Sequence, residues 1–438
     1  MNEFDRISKN FSSSEGKDLK LKALNGFKDI LPGEAELWRQ VEDRARDIFA
    51  RFNFAEIRLP ILEKTELFAR SIGETIDIVE KEMYTFVDKQ ITMRPEATAS
   101  LLRAYIEHGL YVQKPVQRLF TIGPMFRHER PQQGRLRQFH QMDVEILGSA
   151  NPRVDAELMA MGTMLLSELG LCVSLEVNSL GCPACRPAFR ENLLSFLESR
   201  QDALCDDCKR RSITNPLRVL DCKKPNCRSI VEDAPSILEH LCPECAAHFS
   251  EVQDGLRQLG IDYSLNKFMV RGLDYYCRTT FEFTTTDLGS QSAVCAGGRY
   301  DGLVEQLGGP KIPGIGCAMG MERLVLLLLQ KEQKIEGPAE MDLFIAGLGD
   351  AASRIAFSLM QSLRKEGVRV AMDLDNRGLK SQMKQADKAG ARYVLMIGDD
   401  ELAKNTGMLR NMATQEQQGI PLGDIRILIE TTTTRRHV

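Results

Sequence analysis

The strand pattern of this chain breaks off and later resumes, and that interruption constrains its fold more than any other feature. Strand signals run through VQRLFTIGPMFRHER, QFHQMDVEILG and CVSLEVNSL, then stop near residue 180. They return with SLNKFMVRGLDYYCRTTFEF, AVCAGGRYDGLV and GIGCAMG. Residues 183–260, between the two blocks, are helical in pattern, locally basic and rich in cysteine. The simplest account is one sheet carrying a helical insertion. Within the first block, VQRLFTIGPMFRHER and QFHQMDVEILG flank the polar loop PQQGRLR, which reads as an antiparallel hairpin.

Eight of the twelve cysteines fall in CPAC (Cys182, Cys185), CDDC (Cys205, Cys208), CKKPNC (Cys222, Cys227) and CPEC (Cys242, Cys245). With no apolar leader at the N-terminus, such spacing reads as metal ligation before disulfides. It is enough for one or two all-cysteine Zn2+ sites, with reduced free thiols as the alternative. The pairing is not readable from the spacing. Cys172, Cys277, Cys295 and Cys317 sit in apolar contexts and read as small core residues.

Around this core, Glu34–Phe52 carries an apolar stripe of Leu37, Val41, Ala45, Ile48, Phe49 and Phe52, which predicts an amphipathic helix. MYTFVD and QITMRP suggest a hairpin, ATASLLRAYIEHG the helix after it, and residues 152–169 and MERLVLLLLQK two more. KIEGPAE (334–340) reads as a linker. Beyond it, DLFIAGLG, AASRIAFSLMQSLRKEG, VRVAMDL, LKSQMKQADKAG and ARYVLMIGD alternate strand and helix, predicting a small α/β domain with a largely parallel sheet. The expected divisions are a tail at 1–22, a main domain at 23–333 containing the insertion at 183–260, the linker, and a C-terminal domain at 341–438. The net charge of −4 neither announces nor excludes a nucleic-acid partner, since a local basic patch suffices for phosphate contact. No run of about 18 uncharged apolar residues suggests a membrane span, so a cytoplasmic place is expected.

Three segments carry chemistry. FRHERPQQGRLRQFHQMDVE (126–145) sets Arg127, Arg130, Arg135 and Arg137 on and around the hairpin loop. Guanidinium forks suit phosphates, and Phe139 offers a stacking face; a solvated charged loop is the plain alternative. MRPEATAS (93–100) puts Glu96 before a helix, where it could receive an ammonium group or simply favour the helix dipole. GIGCAMGMERLVLLL (314–328) runs from a Gly-rich strand into a helix with Arg323 in its first turn. A cation there opposes the dipole, which points to an anionic ligand.

Together these segments resemble the class II aminoacyl-tRNA synthetases. FRHER and its hairpin are similar to motif 2, GMER to motif 3, and IRLPILEKTELF to the dimer-forming motif 1. VRGLDYY (270–276) and AGGRYDGLV (296–304) resemble the two histidine-specific signatures of the histidyl-tRNA synthetase family. The resemblance runs from LNGFKDILP to KSQMKQADKAGARYVLMIGDDE, nearly the whole chain past the tail.

The resemblance implies an α+β fold, with an antiparallel sheet, flanking helices, a helical insertion and a smaller α/β anticodon-binding domain. It implies a homodimer that binds L-histidine, ATP with Mg2+ and tRNA(His), forms histidyl-adenylate and pyrophosphate, and transfers histidine to the tRNA 3′ end. Arg271 would be the signature catalytic arginine, reaching the α-phosphate and the histidine carboxylate from the side opposite Arg127. Arg127, Glu129, Phe139 and Arg323 would address ATP. Glu96, Thr98 and Gln141 would hold the α-amino end of histidine. Glu145 and Tyr276 would read its imidazole nitrogens, and Tyr275 and Tyr300 would complete the wall. Gln132 and Arg135 would face the tRNA acceptor end, and Arg377 and Lys380 the anticodon region, with Lys384 and Lys388 beside them. The chain departs from the pattern at Ala97, where the family usually has glycine. The rivals are a non-catalytic regulatory paralogue and a class II synthetase for another amino acid.

Overall fold

The structure, a computed structural model, describes residues 21–72, 82–132, 134–270, 275–288, 293–331, 341–423 and 429–430. The chain divides into two compact units, Met1–Gln333 and Lys334–Val438. The expected linker at 334–340 lies outside the described residues.

The first unit is built on an eight-stranded sheet. Its strands are β1 (Ala55–Glu56), β5 (Gln117–Phe126), β6 (Gln138–Leu147), β7 (Ser174–Ser179), β8 (Ser264–Leu265), β9 (Cys277–Thr284), β10 (Ala293–Arg299) and β11 (Gly314–Gly320). Their spatial order is β1-β5-β6-β11-β10-β9-β7-β8, antiparallel except where β1 meets β5 and β7 meets β8. The motif 2 hairpin is regular over its length, with Gln117 opposite Leu147 and Phe126 opposite Gln138. A second sheet of three short strands, β2 (Leu62–Lys64), β3 (Tyr84–Phe86) and β4 (Ile91–Met93), has β4 in its middle.

Helices cover the large sheet. Helix α1 (Glu34–Arg51) buries Leu37, Val41, Ala45, Ile48 and Phe49 as its stripe predicts, and Trp38 with them, while Phe52 is its half-buried C-cap. Helix α2 is Thr65–Ile72, and α3 (Thr98–Glu107) follows β4 after four residues. Helix α4 (Pro152–Glu168) starts on an Asn151 side chain that accepts from the Arg153 N–H at 2.9 Å, with proline in its first turn.

Between β7 and β8 the insertion folds as α5 (Arg186–Glu198), α6 (Asp206–Thr214), α7 (Pro225–Val231) and α8 (Pro243–Gln258). Its own core includes Phe189, Leu193, Leu197, Val219, Val231 and Ile237. Helix α9 (Met321–Gln330) grows directly from β11. No helix of the described residues is long and apolar enough to cross a membrane.

In the stretch MVRGLDYYCRTTFEF, the described residues before Cys277 (Met269, Val270, Tyr275 and Tyr276) are not strand. β9 begins at Cys277, and Arg278 takes a left-handed φ of 50° that breaks the alternation at the strand's start. Residues 271–274, Arg271 included, lie outside the described residues.

The second unit has a five-stranded sheet of β12 (Leu343–Gly347), β13 (Val370–Met372), β14 (Tyr393–Ile397), β15 (Thr406–Asn411) and β16 (Gln417–Pro421), in the order β13-β12-β14-β15-β16. Helices α10 (Asp350–Lys365) and α11 (Leu379–Lys388) complete its βαβ part. The first three strands of that order are parallel, and β15 and β16 continue as an antiparallel meander. The sheet is therefore mixed, not largely parallel. Strand β12 is buried throughout: Leu343 and Ile345 join one apolar cluster and Phe344 and Ala346 another, one on each face.

Candidate active site

The period of two on β6 builds the floor of a cleft. Phe139, Gln141, Asp143 and Glu145 share one face and all line it. Neighbouring β11 places Gly320, Ala318 and Gly316 opposite Gln141, Asp143 and Glu145. These small residues make room for the β6 side chains; a Cβ on Gly316 would fall on the Glu145 carboxylate. The cavity is about 270 Å³ and is open to solvent on one side.

One end is carboxylate-rich. The Thr98 hydroxyl donates to Glu145 Oε1 at 2.7 Å, and the Tyr300 hydroxyl donates to Oε2. Burial pushes Glu145 up to about 8, against the pull of those two hydrogen bonds, and the charge of Glu96 adds to the rise. Glu96 Oε1 accepts the Ala99 N–H at 3.0 Å, which caps the start of α3. Glu96 Oε2 and Gln141 Oε1 are buried with no partner among the described residues. Asp143 is also pushed up, by burial first and then by Glu145 and Glu96.

The tyrosines form the wall. The rings of Tyr275 and Tyr276 lie 4.6 Å apart, and Tyr275 meets Tyr300 edge-on at 5.8 Å. A Cβ on Gly298 of β10 would stand 3.0 Å from the Tyr276 ring, so glycine lets that ring lie against the sheet. From the insertion, Arg186 Nη2 donates to the Tyr276 carbonyl.

The other end is cationic. Arg127 lies over the Phe139 ring at 5.2 Å, and its Nε donates to the Pro95 carbonyl at 2.8 Å. Glu129 pairs with Arg135 at 3.0 Å and stands 3.8 Å from Arg127. Arg323, in the first turn of α9, donates to the Ala293 carbonyl, and burial lowers its pKa. Beside it Glu322 accepts the His140 N–H at 2.9 Å and meets the His140 ring at 3.0 Å, which ties α9 to β6.

The cleft thus gathers Glu96, Thr98, Arg127, Glu129, Arg135, Phe139, Gln141, Glu145, Tyr275, Tyr276, Tyr300 and Arg323. Gln132 lies beside it, exchanging backbone hydrogen bonds with Arg135 at 3.0 and 2.9 Å. Ala97 is fully buried at the start of α3. In the second unit Arg377 is held by Asp375 at 2.6 Å, and Lys380 is exposed in the first turn of α11. The eight clustered cysteines gather as two sets of four, Cys182, Cys185, Cys242 and Cys245, and Cys205, Cys208, Cys222 and Cys227.

Sequence reading missed Asp143, although it shares the face of Gln141 and Glu145 two residues either way. It also missed Arg186, for which no local signal exists, and the wholly buried Arg299. The Arg299 guanidinium meets Asp155 at 2.7 Å and Asp301 at 3.1 Å.

The family model "Histidyl-tRNA synthetase" matches residues 26–324, and "Anticodon binding domain" matches residues 342–431. A histidine--tRNA ligase of Desulfotalea psychrophila is 68% identical over 410 residues, 93% of this chain and 95% of that protein. That of Geobacter sulfurreducens is 56% identical over 403 residues, 91% of this chain and 97% of its own length. The crystal structure of apo S. aureus histidyl-tRNA synthetase superposes with a TM-score of 0.78 at 39% identity, covering 94% of this chain and 99% of that one. The anticodon-binding match, the catalytic-domain match and the near full-length identity agree: the chain belongs to the histidyl-tRNA synthetase family.

Proposed function

We propose that this chain, a histidine–tRNA ligase, binds L-histidine at the carboxylate end of the cleft and ATP at its guanidinium end. It joins them as histidyl-adenylate and then passes the histidyl group to the 3′ end of tRNA(His). The segregation of charge carries this reading: Glu96, Asp143 and Glu145 stand at one end, Arg127, Arg135 and Arg323 at the other.

At the first end, the free oxygens of Glu96 and Gln141 accept from the substrate ammonium. Glu145, fixed by Thr98 and Tyr300, takes an imidazole N–H, with Tyr276 addressing the other side of the ring. A buried site that pairs both ring nitrogens rejects amino acids that would leave those groups unpaired. At the second end Phe139 stacks with adenine, Glu129 lies on the adenine side, and Arg127 and Arg323 take phosphate charge. The histidine carboxylate oxygen bonds to the α-phosphorus as the bond to the bridging oxygen breaks and pyrophosphate leaves. Fixed guanidiniums stabilise the charge gathering on the phosphoryl oxygens, and they stay protonated throughout.

Arg271 enters this scheme as the catalytic arginine on the strength of the VRGLDYY signature. Mg2+ would come with ATP and offset phosphate charge, and Glu129 and Glu322 are the carboxylates at that end that could hold it. The loop carrying Gln132 and Arg135 meets the tRNA acceptor end, and Arg377 and Lys380 meet the anticodon region. The chain works in the cytoplasm as a homodimer, with motif 1 in the dimer contact. Isothermal titration calorimetry with L-histidine tests the pocket. Glu145→Gln is expected to weaken binding about tenfold, because the amide nitrogen cannot accept a hydrogen bond as the second carboxyl oxygen does, and unchanged affinity would contradict the assignment.

A further inference from the structure

The two cysteine sets have a geometry that the histidine and ATP cleft does not use. In each, the four sulfurs all lie within 4.8 Å of one another. In the first, Cys182 Sγ stands 3.7 Å from Cys185 Sγ and 3.9 Å from Cys242 Sγ. Tetrahedral ligation of one ion at about 2.3 Å sets sulfurs roughly 3.8 Å apart. A disulfide would need about 2.05 Å. An iron–sulfur cluster binds its cysteines through separate iron atoms, which spreads the sulfurs beyond the edge of a single-ion tetrahedron.

The sets are built alike. Cys242, the N-cap of α8, donates its N–H to Cys185 Sγ at 3.2 Å. Cys205, the N-cap of α6, donates its N–H to Cys227 Sγ at 3.3 Å. Such N–H donors and helix N-termini favour thiolate over thiol, as the outer shell of a metal site does.

Their places in the fold differ. The first set joins the chain just after β7 to the start of α8, which leads back to β8, so it clamps the two roots of the insertion together. The second lies inside the insertion, where Cys208 and Cys227 belong to the core with Leu193, Val219 and Val231. So small a core gains from a metal cross-link.

We propose that the insertion is a two-zinc module, with one Zn2+ held by Cys182, Cys185, Cys242 and Cys245 and a second by Cys205, Cys208, Cys222 and Cys227. The test is metal stoichiometry on the full chain purified without chelator from zinc-supplemented culture, counted by native mass spectrometry and by elemental analysis. Two zinc ions per chain are expected, and one in each of the variants C182S/C185S and C205S/C208S. Chain expressed with cobalt should show thiolate-to-cobalt charge transfer and tetrahedral d–d bands, a readout that needs no variant. Fewer than two ions in the wild-type chain, two ions retained by either variant, iron with inorganic sulfide, or a cobalt form without charge-transfer bands would each overturn the proposal.

Discussion

The Thr98 hydroxyl donates to Glu145 Oε1 at 2.7 Å, and this one bond joins the first turn of α3 to the cleft face of β6. With the Tyr300 hydroxyl on Oε2, both carboxylate oxygens are held, so Glu145 keeps a fixed direction ahead of ligand binding. Preorganisation of this kind lowers the ordering cost of binding. It also leaves Glu96, whose second oxygen has no described partner, as the more adaptable acceptor in the pocket.

The raised pKa of Glu145 predicts how stability depends on pH. The side chain is pushed to about 8 in the fold, while an unfolded glutamate titrates near ~4.3. Between those values the folded chain holds a proton that the unfolded chain has lost. The ligand-free protein therefore loses stability as pH rises from about 4.5 to about 8, by up to about 1.4 kcal/mol per pH unit from this group. Urea unfolding at pH 5.5, 6.5 and 7.5 should show a shallower decline in Glu145→Gln than in the wild type. Parallel declines would mean that Glu145 titrates normally.

Gly316→Ala puts a methyl group where the Glu145 carboxylate sits. Overpacking of this kind costs about 1–3 kcal/mol. The histidine KM should rise tenfold or more, while the ATP KM changes little, because Arg127 and Phe139 are untouched. Steady-state ATP–pyrophosphate exchange separates the two constants, and an unchanged histidine KM would place the substrate elsewhere.

Arg186 is a positioning residue, acting on the pocket through the Tyr276 carbonyl. Arg186→Met should raise the histidine KM severalfold with kcat and the ATP KM nearly unchanged, and Arg186→Lys should recover part of the loss. A fall in folded protein that lowers all rates together would instead mark Arg186 as purely structural.

The legible parts of the site are those set by local periodicity. Alternation along QFHQMDVEILG is enough by itself to put Phe139, Gln141 and Glu145 on one face, and the same rule includes Asp143. Residues placed by tertiary contact are not legible in this way. Arg186 reaches Tyr276 from ninety positions away. The cysteine pairing is nested, inner pairs with inner and outer with outer, because the helices bring pairs distant in sequence together. In MVRGLDYYCRTTFEF, β-propensity suggests strand throughout, whereas β9 begins at Cys277 and Arg278 just inside it takes a left-handed φ of 50°. The antiparallel end of the second sheet is hidden because TGMLRN and QQGIP are half-exposed and polar, without a clear apolar period.

Histidine specificity at the adenylation step is the central claim, and ATP–pyrophosphate exchange with each of the twenty amino acids tests it most directly. Exchange with L-histidine alone, dependent on Mg2+, is the predicted result. Exchange with a different amino acid, or none with histidine, would contradict it.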